Sequence, residues 1–387
     1  MTEQNPIVSI VLPCLNEEEA IGPCIELIQK VFTDHKINGE IVVSDNASTD
    51  QSAAIAQRLG AVVVHQPIRG YGHAYFKGFA SARGEYLIMA DCDGTYDFNE
   101  IPNFLKKLIY ENYDFVSGSR YVKGYKNEGI PFLHRYVGNP LLTTILNFLF
   151  GLNYTDVYTG FRGFTKGAYS QIKPISSGME FNLELAINAK LAGLKVAEIP
   201  IALHERKGVS KLRTFRDGWR SLRMMLLYSP NKVFIKFGIL LLAIGLLAHV
   251  VALSGLFKVG IGGKPLSGVT GIFAFILSVV GFEIFCLGLH LRTYSWSNRF
   301  EEHNKSLNLI YKSFKMEIGL LWGALSILAG ITILIILIVK WIHSQMLPLP
   351  NPEWASFGGT LVVIGFNIIF SSLFIAAMAM SREIHGK

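Results

Sequence analysis

The 387-residue chain has little cysteine and little charge. Its four cysteines, Cys14, Cys24, Cys92 and Cys286, follow no paired spacing. That excludes a disulfide framework and a thiolate metal site, and makes a reducing compartment the default. Only 17% of the residues are charged, against roughly a quarter in ordinary soluble domains. Acid is the scarcer sign, with 29 acidic against 36 basic residues and a formal net charge of +7. The basic excess gathers where apolar sequence begins, so the expected partner is an anionic lipid bilayer and not nucleic acid. No basic n-region with a short apolar core opens the chain; "MTEQNP" leads straight into a strand pattern, and no cleaved leader is expected.

Charge is scarcest after Pro230, where long apolar runs cover residues 233–257, 269–291, 318–342 and 357–380. Each holds roughly the twenty apolar residues needed to cross a bilayer's hydrocarbon core. His249, Glu283 and Lys340 interrupt them. Lys340 can snorkel from a helix end, whereas Glu283 is expected to face protein or a headgroup. Lys211, Arg213, Arg216, Arg220, Arg223 and Lys232 precede the first run; Arg292, Arg299, Lys305, Lys312 and Lys315 separate the second from the third. The other two loops are poorer in such charge, which places both termini in the cytoplasm. The expected organisation is a catalytic domain over 1–210, a basic amphipathic interfacial region over 211–232, and an all-α transmembrane domain of four helices over 233–387.

Before the spans, short β-rich runs alternate with helical spacing. "IVSIVLP", "EIVVSD", "AVVVH", "YLIMAD" and "YDFVSG" read as strands, separated by amphipathic stretches such as 18–32 with Ile21, Ile25, Ile28 and Val31 on one face. The pattern predicts an α/β domain of Rossmann-like character, a mainly parallel sheet with helices on both faces. Ligands in such sheets sit at the carboxyl ends of the strands. Polar loops follow the first, second, fourth and fifth strands: "PCLNEE", "SDNASTD", "ADCDGTYD" and "SGSR". All four are expected at one edge.

The pair Asp91 and Asp93 at the end of "YLIMADCDGTYD" suits three chemistries. A calcium loop needs Gly at its sixth position and Glu at its twelfth, and Tyr96 and Pro102 stand there instead. A haloacid-dehalogenase phosphatase would attack phosphorus with Asp91 and use Asp93 as acid, but three strand–loop units precede the motif and no Asp-Asp pair follows it. The third chemistry is a hard divalent cation, Mg²⁺ or Mn²⁺, bridging the carboxylates to a nucleotide's pyrophosphate.

"VLPCLNEE", "VVSDNASTD", "ADCDGTYD" and "YTGFRGFTK" together resemble glycosyltransferase family 2, with its GT-A fold, over about residues 7–212. Within it the chain is similar to the polyprenyl-phosphate hexose synthases, such as dolichyl-phosphate mannose and glucose synthases. The resemblance implies nucleotide-sugar contacts from Pro13, Asn16, Glu17, Asp45 and Asn46, with the loop carrying Arg69 and Gly70 bearing on base selectivity. It implies metal binding by Asp91 and Asp93, with Thr95 as a third contact. Asn46 replaces the second acid of a frequent acidic pair, and Thr95 stands where the mannose synthases carry Gln. A lipid monophosphate acceptor is already anionic and needs cationic grips more than a base; the candidates are Arg120, Arg135, Arg162, Arg206 and Lys211, with Asn139 at the place of a family serine.

"VGNPLLTTILNFLFGLNY" then reads as a helix guiding a lipid tail, and "LRTFRDGWRSLRMMLLYSP" as a helix lying in the membrane surface. The expected reaction is inverting transfer of a hexose from a nucleotide-diphosphate sugar to polyprenyl phosphate, with UDP-glucose or UDP-N-acetylglucosamine favoured over GDP-mannose. A diacylglycerol acceptor would require a general base, for which Asp156 is the candidate. A processive polysaccharide synthase would carry a Gln-x-x-Arg-Trp motif, and the sequence has none. From another class, a lipid translocator would need a polar pathway that the spans do not display. A homo-oligomer is compatible with every one of these.

Overall fold

The computed structural model describes residues 5–121, 134–204, 214–254, 267–297, 316–345 and 351–385. Arg206 and Lys211 lie outside the described residues. The chain divides into two compact units, Met1–Met225 and Leu226–Lys387.

The first unit is built on a seven-stranded sheet: β1 (Val8–Cys14), β2 (Gly39–Asp45), β3 (Val62–His65), β4 (Tyr86–Met89), β5 (Phe115–Ser119), β6 (Arg162–Thr165) and β7 (Val196–Pro200), in the order β3-β2-β1-β4-β6-β5-β7. All pairings are parallel except those of β6, which runs antiparallel to both β4 and β5. The expected mainly parallel GT-A sheet is thus present. The sequence reading did not name β6 or β7. Because β6 is reversed, its amino end lies at the same edge as the carboxyl ends of the other six strands.

Helices α1 (Ile21–Asp34), α2 (Ser52–Arg58), α3 (Tyr71–Ser81), α4 (Ile101–Leu105), α5 (Asn139–Phe150), α6 (Lys166–Ile172) and α7 (Phe181–Leu191) accompany the sheet, and α8 (Thr214–Tyr228) runs across the boundary at which the two units divide. Alternation along β1 decides the two cores. Val8, Ile10 and Leu12 pack with Ile21, Ile25 and Ile28 of α1 and Phe104 of α4. Val11 points to the other face, towards Tyr75 and Phe79 of α3 and Phe181 and Leu185 of α7. Ser9 on that face is fully buried, and its hydroxyl donates to Glu40 Oε1 at 2.6 Å.

The second unit holds α9 (Lys236–Ser254), α10 (Ser267–Ser297), α11 (Met316–His343) and α12 (Glu353–His385). Four stretches among the described residues are long and apolar enough to cross a membrane: Asn231–Ser254, Val269–Tyr294, Met316–His343 and Glu353–Met378. Without a hydrophobic force between helices in lipid, small residues let backbones meet. A Cβ on Gly245 of α9 would strike the Ser278 backbone of α10, and one on Gly365 of α12 would come within 2.7 Å of the Gly323 carbonyl of α11. His249 Nε2 bonds Thr360 Oγ1 at 2.9 Å, joining α9 to α12. Glu283 is exposed on α10 alongside Val280 and Leu287, which leaves the headgroup alternative of its expected surroundings, while the Gly281 stripe takes the contacts with α9.

Candidate active site at the carboxyl edge of the sheet

Strand order places the break in direction between β1 and β4, since the chain proceeds from β1 to β2 and β3 on one side and returns to β4 on the other. This is the crevice where open α/β sheets bind ligands. The loops after β1 and β2 meet beside it. Asn16 adopts a left-handed conformation, φ 52°, tolerable for Asn because its short amide bonds locally. Its Oδ1 accepts from Thr49 N at 2.8 Å, and its own N–H donates to Ser48 Oγ at 3.0 Å. Glu17 N–H donates to Ser52 Oγ at 2.9 Å. Pro13 is the one half-buried residue of β1, and its carbonyl accepts from Cys92 Sγ at 3.1 Å.

Asp45, 5% exposed, accepts from Ser48 N at 3.2 Å and faces His65 Nδ1 at 3.1 Å. Asn46 is 4% exposed and ties the end of β2 to the 66–70 loop. Its Nδ2 donates to the carbonyls of Gln66 (3.1 Å) and Ile68 (2.7 Å), and its Oδ1 accepts from Gly70 N at 2.7 Å. An aspartate has no N–H₂ to offer two carbonyls, which explains the departure from an acidic pair. The strap sets the loop that presents Arg69, which is exposed and reaches Ala47 O at 3.5 Å. Gly70 has φ 154°, and a Cβ there would approach Ser177 O to 2.6 Å.

After β4, Asp93 is 7% exposed. Its Oδ1 accepts from both the Thr95 amide (3.1 Å) and the Thr95 hydroxyl (2.6 Å). Thr95 therefore fixes the Asp93 rotamer, a task compatible with a supporting place beside a metal. Asp91 Oδ1 accepts from the Tyr71 hydroxyl at 2.9 Å. Burial first, then the Asp91 charge, pushes the Tyr71 phenol well above its ordinary value, so it stays a donor. The Gly160 amide donates to Tyr96 Oη at 2.7 Å. A Cβ on Gly160 would come within 2.7 Å of Tyr71 Oη and 2.9 Å of Asp91 Oδ2, so only glycine fits.

Reversed β6 brings residues 155–161 to the same edge. Asp156 is fully buried there, and Arg120 Nε and Nη2 donate to its two oxygens at 2.6 and 2.9 Å. Two residues expected in separate tasks are thus each other's partner. Burial opposes the Arg120 charge, but the Asp156 carboxylate holds its pKa above the ordinary value. Glu198 of β7 accepts from the amides of Thr155 (2.8 Å) and Asp156 (3.2 Å). Burial pushes the Glu198 carboxyl up. Tyr121 bonds the Asn139 side chain and feels Arg120, Asp156 and Arg135, which gathers these groups into one cationic corner. Arg135 also stacks over the Tyr136 ring, 5.4 Å from its centroid.

Arg162 has a different task from the phosphate grip expected of it. It is fully buried in β6, with Nη2 donating to Val157 O at 2.7 Å, Nη1 to Asn182 O, and its guanidinium over the Phe115 ring. Burial lowers its pKa. It braces backbone and does not reach solvent. Tyr71, Tyr96, Gly160, Asn182 and Glu198 were missed from sequence. Tyr96 and Gly160 stood inside the quoted motifs "ADCDGTYD" and "YTGFRGFTK", and Tyr71 was an aromatic between two glycines at a helix start; Asn182 and Glu198 carried no signal.

Among the described residues no three His, Cys, Asp or Glu side chains cluster to enclose a metal ion. The donor set at Asp91 and Asp93 still fits Mg²⁺ or Mn²⁺, because such ions are commonly held by one or two carboxylates with substrate phosphates completing the shell. Both carboxylates are oriented by hydroxyl donors, as oxygen ligands need to be.

A mostly parallel nucleotide-type sheet with an Asp-x-Asp loop at its switch point, followed by membrane spans, defines a membrane-bound glycosyltransferase class. The glycosyl transferase family 2 model matches residues 9–173, and the model of the family's C-terminal transmembrane region matches 289–379. The chain is 35% identical over 373 residues to the low-salt glycan biosynthesis hexosyltransferase Agl6 of Haloferax volcanii, covering 96% of this chain and 89% of that one. It is 34% identical over 211 residues to a dolichyl-phosphate hexose transferase of the same organism, covering 54% of this chain and 89% of that protein. The protein belongs to glycosyltransferase family 2; it is a multi-pass membrane glycosyltransferase. Among solved structures, glucosyl-3-phosphoglycerate synthase from Mycobacterium tuberculosis, crystallised with Mn²⁺ and UDP-glucose, aligns at TM-score 0.46 and 23% identity over 57% of this chain and 78% of that one.

Proposed function

We propose that the protein transfers a hexose from a nucleotide-diphosphate sugar to polyprenyl phosphate at the cytoplasmic face of a membrane, inverting the anomeric carbon. The observation that carries this is the Arg120–Asp156 pair beside Tyr121, Asn139 and Arg135. Asp156 was the candidate base for an alcohol acceptor. It is fully buried and committed to Arg120, so an acceptor that needs deprotonation is disfavoured. A phosphate monoester brings its own negative oxygen and asks only for cations and donors.

In this reading Pro13, Asn16, Glu17, Asp45 and the Arg69–Gly70 loop border the nucleotide. Asp91 and Asp93 would hold Mg²⁺ or Mn²⁺, which neutralises charge on the departing diphosphate when bound. Arg120 and Arg135, with Asn139, orient the acceptor phosphate. One of its oxygens forms the bond to the anomeric carbon as the bond from that carbon to the diphosphate oxygen breaks, and the electron pair leaves on the diphosphate. The dolichyl-phosphate hexose transferase similarity supports the acceptor class. UDP-glucose or UDP-N-acetylglucosamine is favoured as donor, with GDP-mannose behind them. The basic residues flanking the spans support cytoplasmic termini.

Detergent-purified protein incubated with each radiolabelled donor and with polyprenyl phosphate, diacylglycerol or no lipid should label polyprenyl phosphate alone, and only with divalent metal. Label entering diacylglycerol or a long polymer instead would overturn the assignment. Asp93→Asn should abolish the metal-dependent turnover while the protein remains folded and membrane-inserted.

A further inference from the structure

Behind Asp91 lies a chain of side chains that the transfer reaction does not itself use. Tyr71 Oη donates to Asp91 Oδ1 at 2.9 Å, and Asn182 Nδ2 reaches Tyr71 Oη at 3.5 Å. The proton count fixes the direction. A phenol has one hydrogen, a carboxylate can only accept, and so the Tyr71 oxygen must accept from the Asn182 amide. Asn182 is 3% exposed, and its backbone carbonyl accepts from the buried Arg162 guanidinium. The Tyr71 ring is held edge-on against Tyr75 and Phe181, with centroids 4.9 and 6.4 Å away. Gly160 closes the other side, where any Cβ would press on both Tyr71 Oη and Asp91 Oδ2.

We infer that Arg162, Asn182 and Tyr71 form a positioning relay that holds the Asp91 carboxylate in the orientation needed to ligate a divalent cation. The inference rests on the metal assignment of Asp91 made above. It makes Tyr71 and Asn182 positioning residues: neither touches the sugar or the acceptor. A donor to a ligating carboxylate orients it, and losing such a donor typically weakens metal affinity roughly 10–100-fold. The relay also gives the "TGFR" arginine and the glycine-flanked tyrosine one shared purpose, since both act on the same carboxylate from β6 and from the start of α3.

The test is Mn²⁺ binding to the full chain in detergent, read from the electron paramagnetic resonance of free Mn²⁺. It is titrated alone and with uridine or guanosine diphosphate. Tyr71→Phe removes one hydroxyl and leaves the ring packing, and should weaken Mn²⁺ roughly ten-fold while the protein still unfolds in one cooperative transition. Asn182→Ala should weaken it by a smaller factor. In the Tyr71→Phe background Asn182→Ala should have no further effect on Mn²⁺, because the relay is already cut; independent structural effects would instead add. Tyr86→Phe, at the opposite end of β4, should change nothing. If Asp91→Asn abolishes Mn²⁺ binding but Tyr71→Phe leaves it at the parental value, the relay is refuted and the metal assignment stands. If Asp91→Asn itself leaves binding intact, the metal assignment falls and the relay with it. Full additivity of Tyr71→Phe and Asn182→Ala on Mn²⁺ affinity would also refute the relay.

Discussion

Asn46→Asp is a small change with a large expected cost. The Asn46 amide nitrogen serves two carbonyls, Gln66 O at 3.1 Å and Ile68 O at 2.7 Å, while the amide oxygen serves Gly70 N at 2.7 Å. Aspartate keeps the acceptor for Gly70 but turns the other atom into an oxygen facing two oxygens. Each lost bond is worth about 1 kcal/mol net, and a buried acceptor left without a donor costs about 1–3 kcal/mol. With the residue 4% exposed, relief by water is limited. The sum is a destabilisation of about 3–5 kcal/mol at pH 8. Burial and the facing carbonyls should raise the new carboxyl above the ordinary aspartate range. A raised folded pKa favours the protonated form, so stability is highest below the unfolded value and is lost as pH rises through the folded one. One acid proton restores one of the two donors, so about half the penalty should return at pH 5. Amide exchange over residues 66–71, followed by mass spectrometry on the full chain in detergent, should be roughly a hundred-fold faster or more at pH 8 once corrected for intrinsic rates, since about 1.4 kcal/mol is ten-fold. Parental exchange in that loop, or a penalty that does not shrink towards pH 5, would refute the strap. The donor KM should rise as the Arg69 loop loosens.

Asp156→Asn removes the counter-charge of an Arg120 whose side chain is only 12% exposed; it should cost about 3–5 kcal/mol and lower the melting temperature. The Glu40 carboxyl is opposed by burial, yet the Ser9 hydroxyl and the Arg83 amide and guanidinium hold its pKa below the usual range. Its contribution is therefore present above the unfolded carboxylate value and lost as pH falls through the lower folded one; Glu40→Gln should flatten that part of a melting-temperature profile between about pH 3 and 5. Gly245→Leu would drive a side chain into the Ser278 backbone, and should destabilise the helix bundle by about 1–3 kcal/mol in a detergent melting assay.

The strands of the amino-terminal half were legible because each is an apolar run bounded by a polar loop, and the Asp-x-Asp loop announced itself by position. β6 and β7 were not. "RGFT" is as short as β3 and β4 but opens on a buried arginine and holds one large apolar residue, so apolarity does not mark it. β7, "VAEIP", carries Glu198 and ends in proline. The reversal of β6 is a tertiary fact that no local period encodes. The site divided the same way. Asp91, Asp93 and Arg120 were proposed by motif and lie at the strand-end edge as expected, but Arg162 could not be told from a phosphate grip, because a brace and a grip use the same guanidinium. Burial alone separates them, and burial depends on which strand the arginine belongs to.

In the proposed reaction that reversed strand would let a sheet of nucleotide-binding type serve an anionic acceptor. Six strands deliver their carboxyl ends to one edge, and β6 delivers the segment before it, which carries Asp156. Asp156 and Arg120 form an ion pair of zero net charge, in which the guanidinium stays cationic and is held in position by two bonds. Preorganised donors of this kind stabilise developing charge without reorganising at the moment of reaction. Long-range attraction for a phosphate must then come from other cations. In the described part of the corner the remaining cation is Arg135, which sits over an exposed tyrosine ring. In the proposed reaction Arg120, locked to Asp156, and Arg135 would together orient the acceptor phosphate, a pairing that neither residue's motif could have revealed.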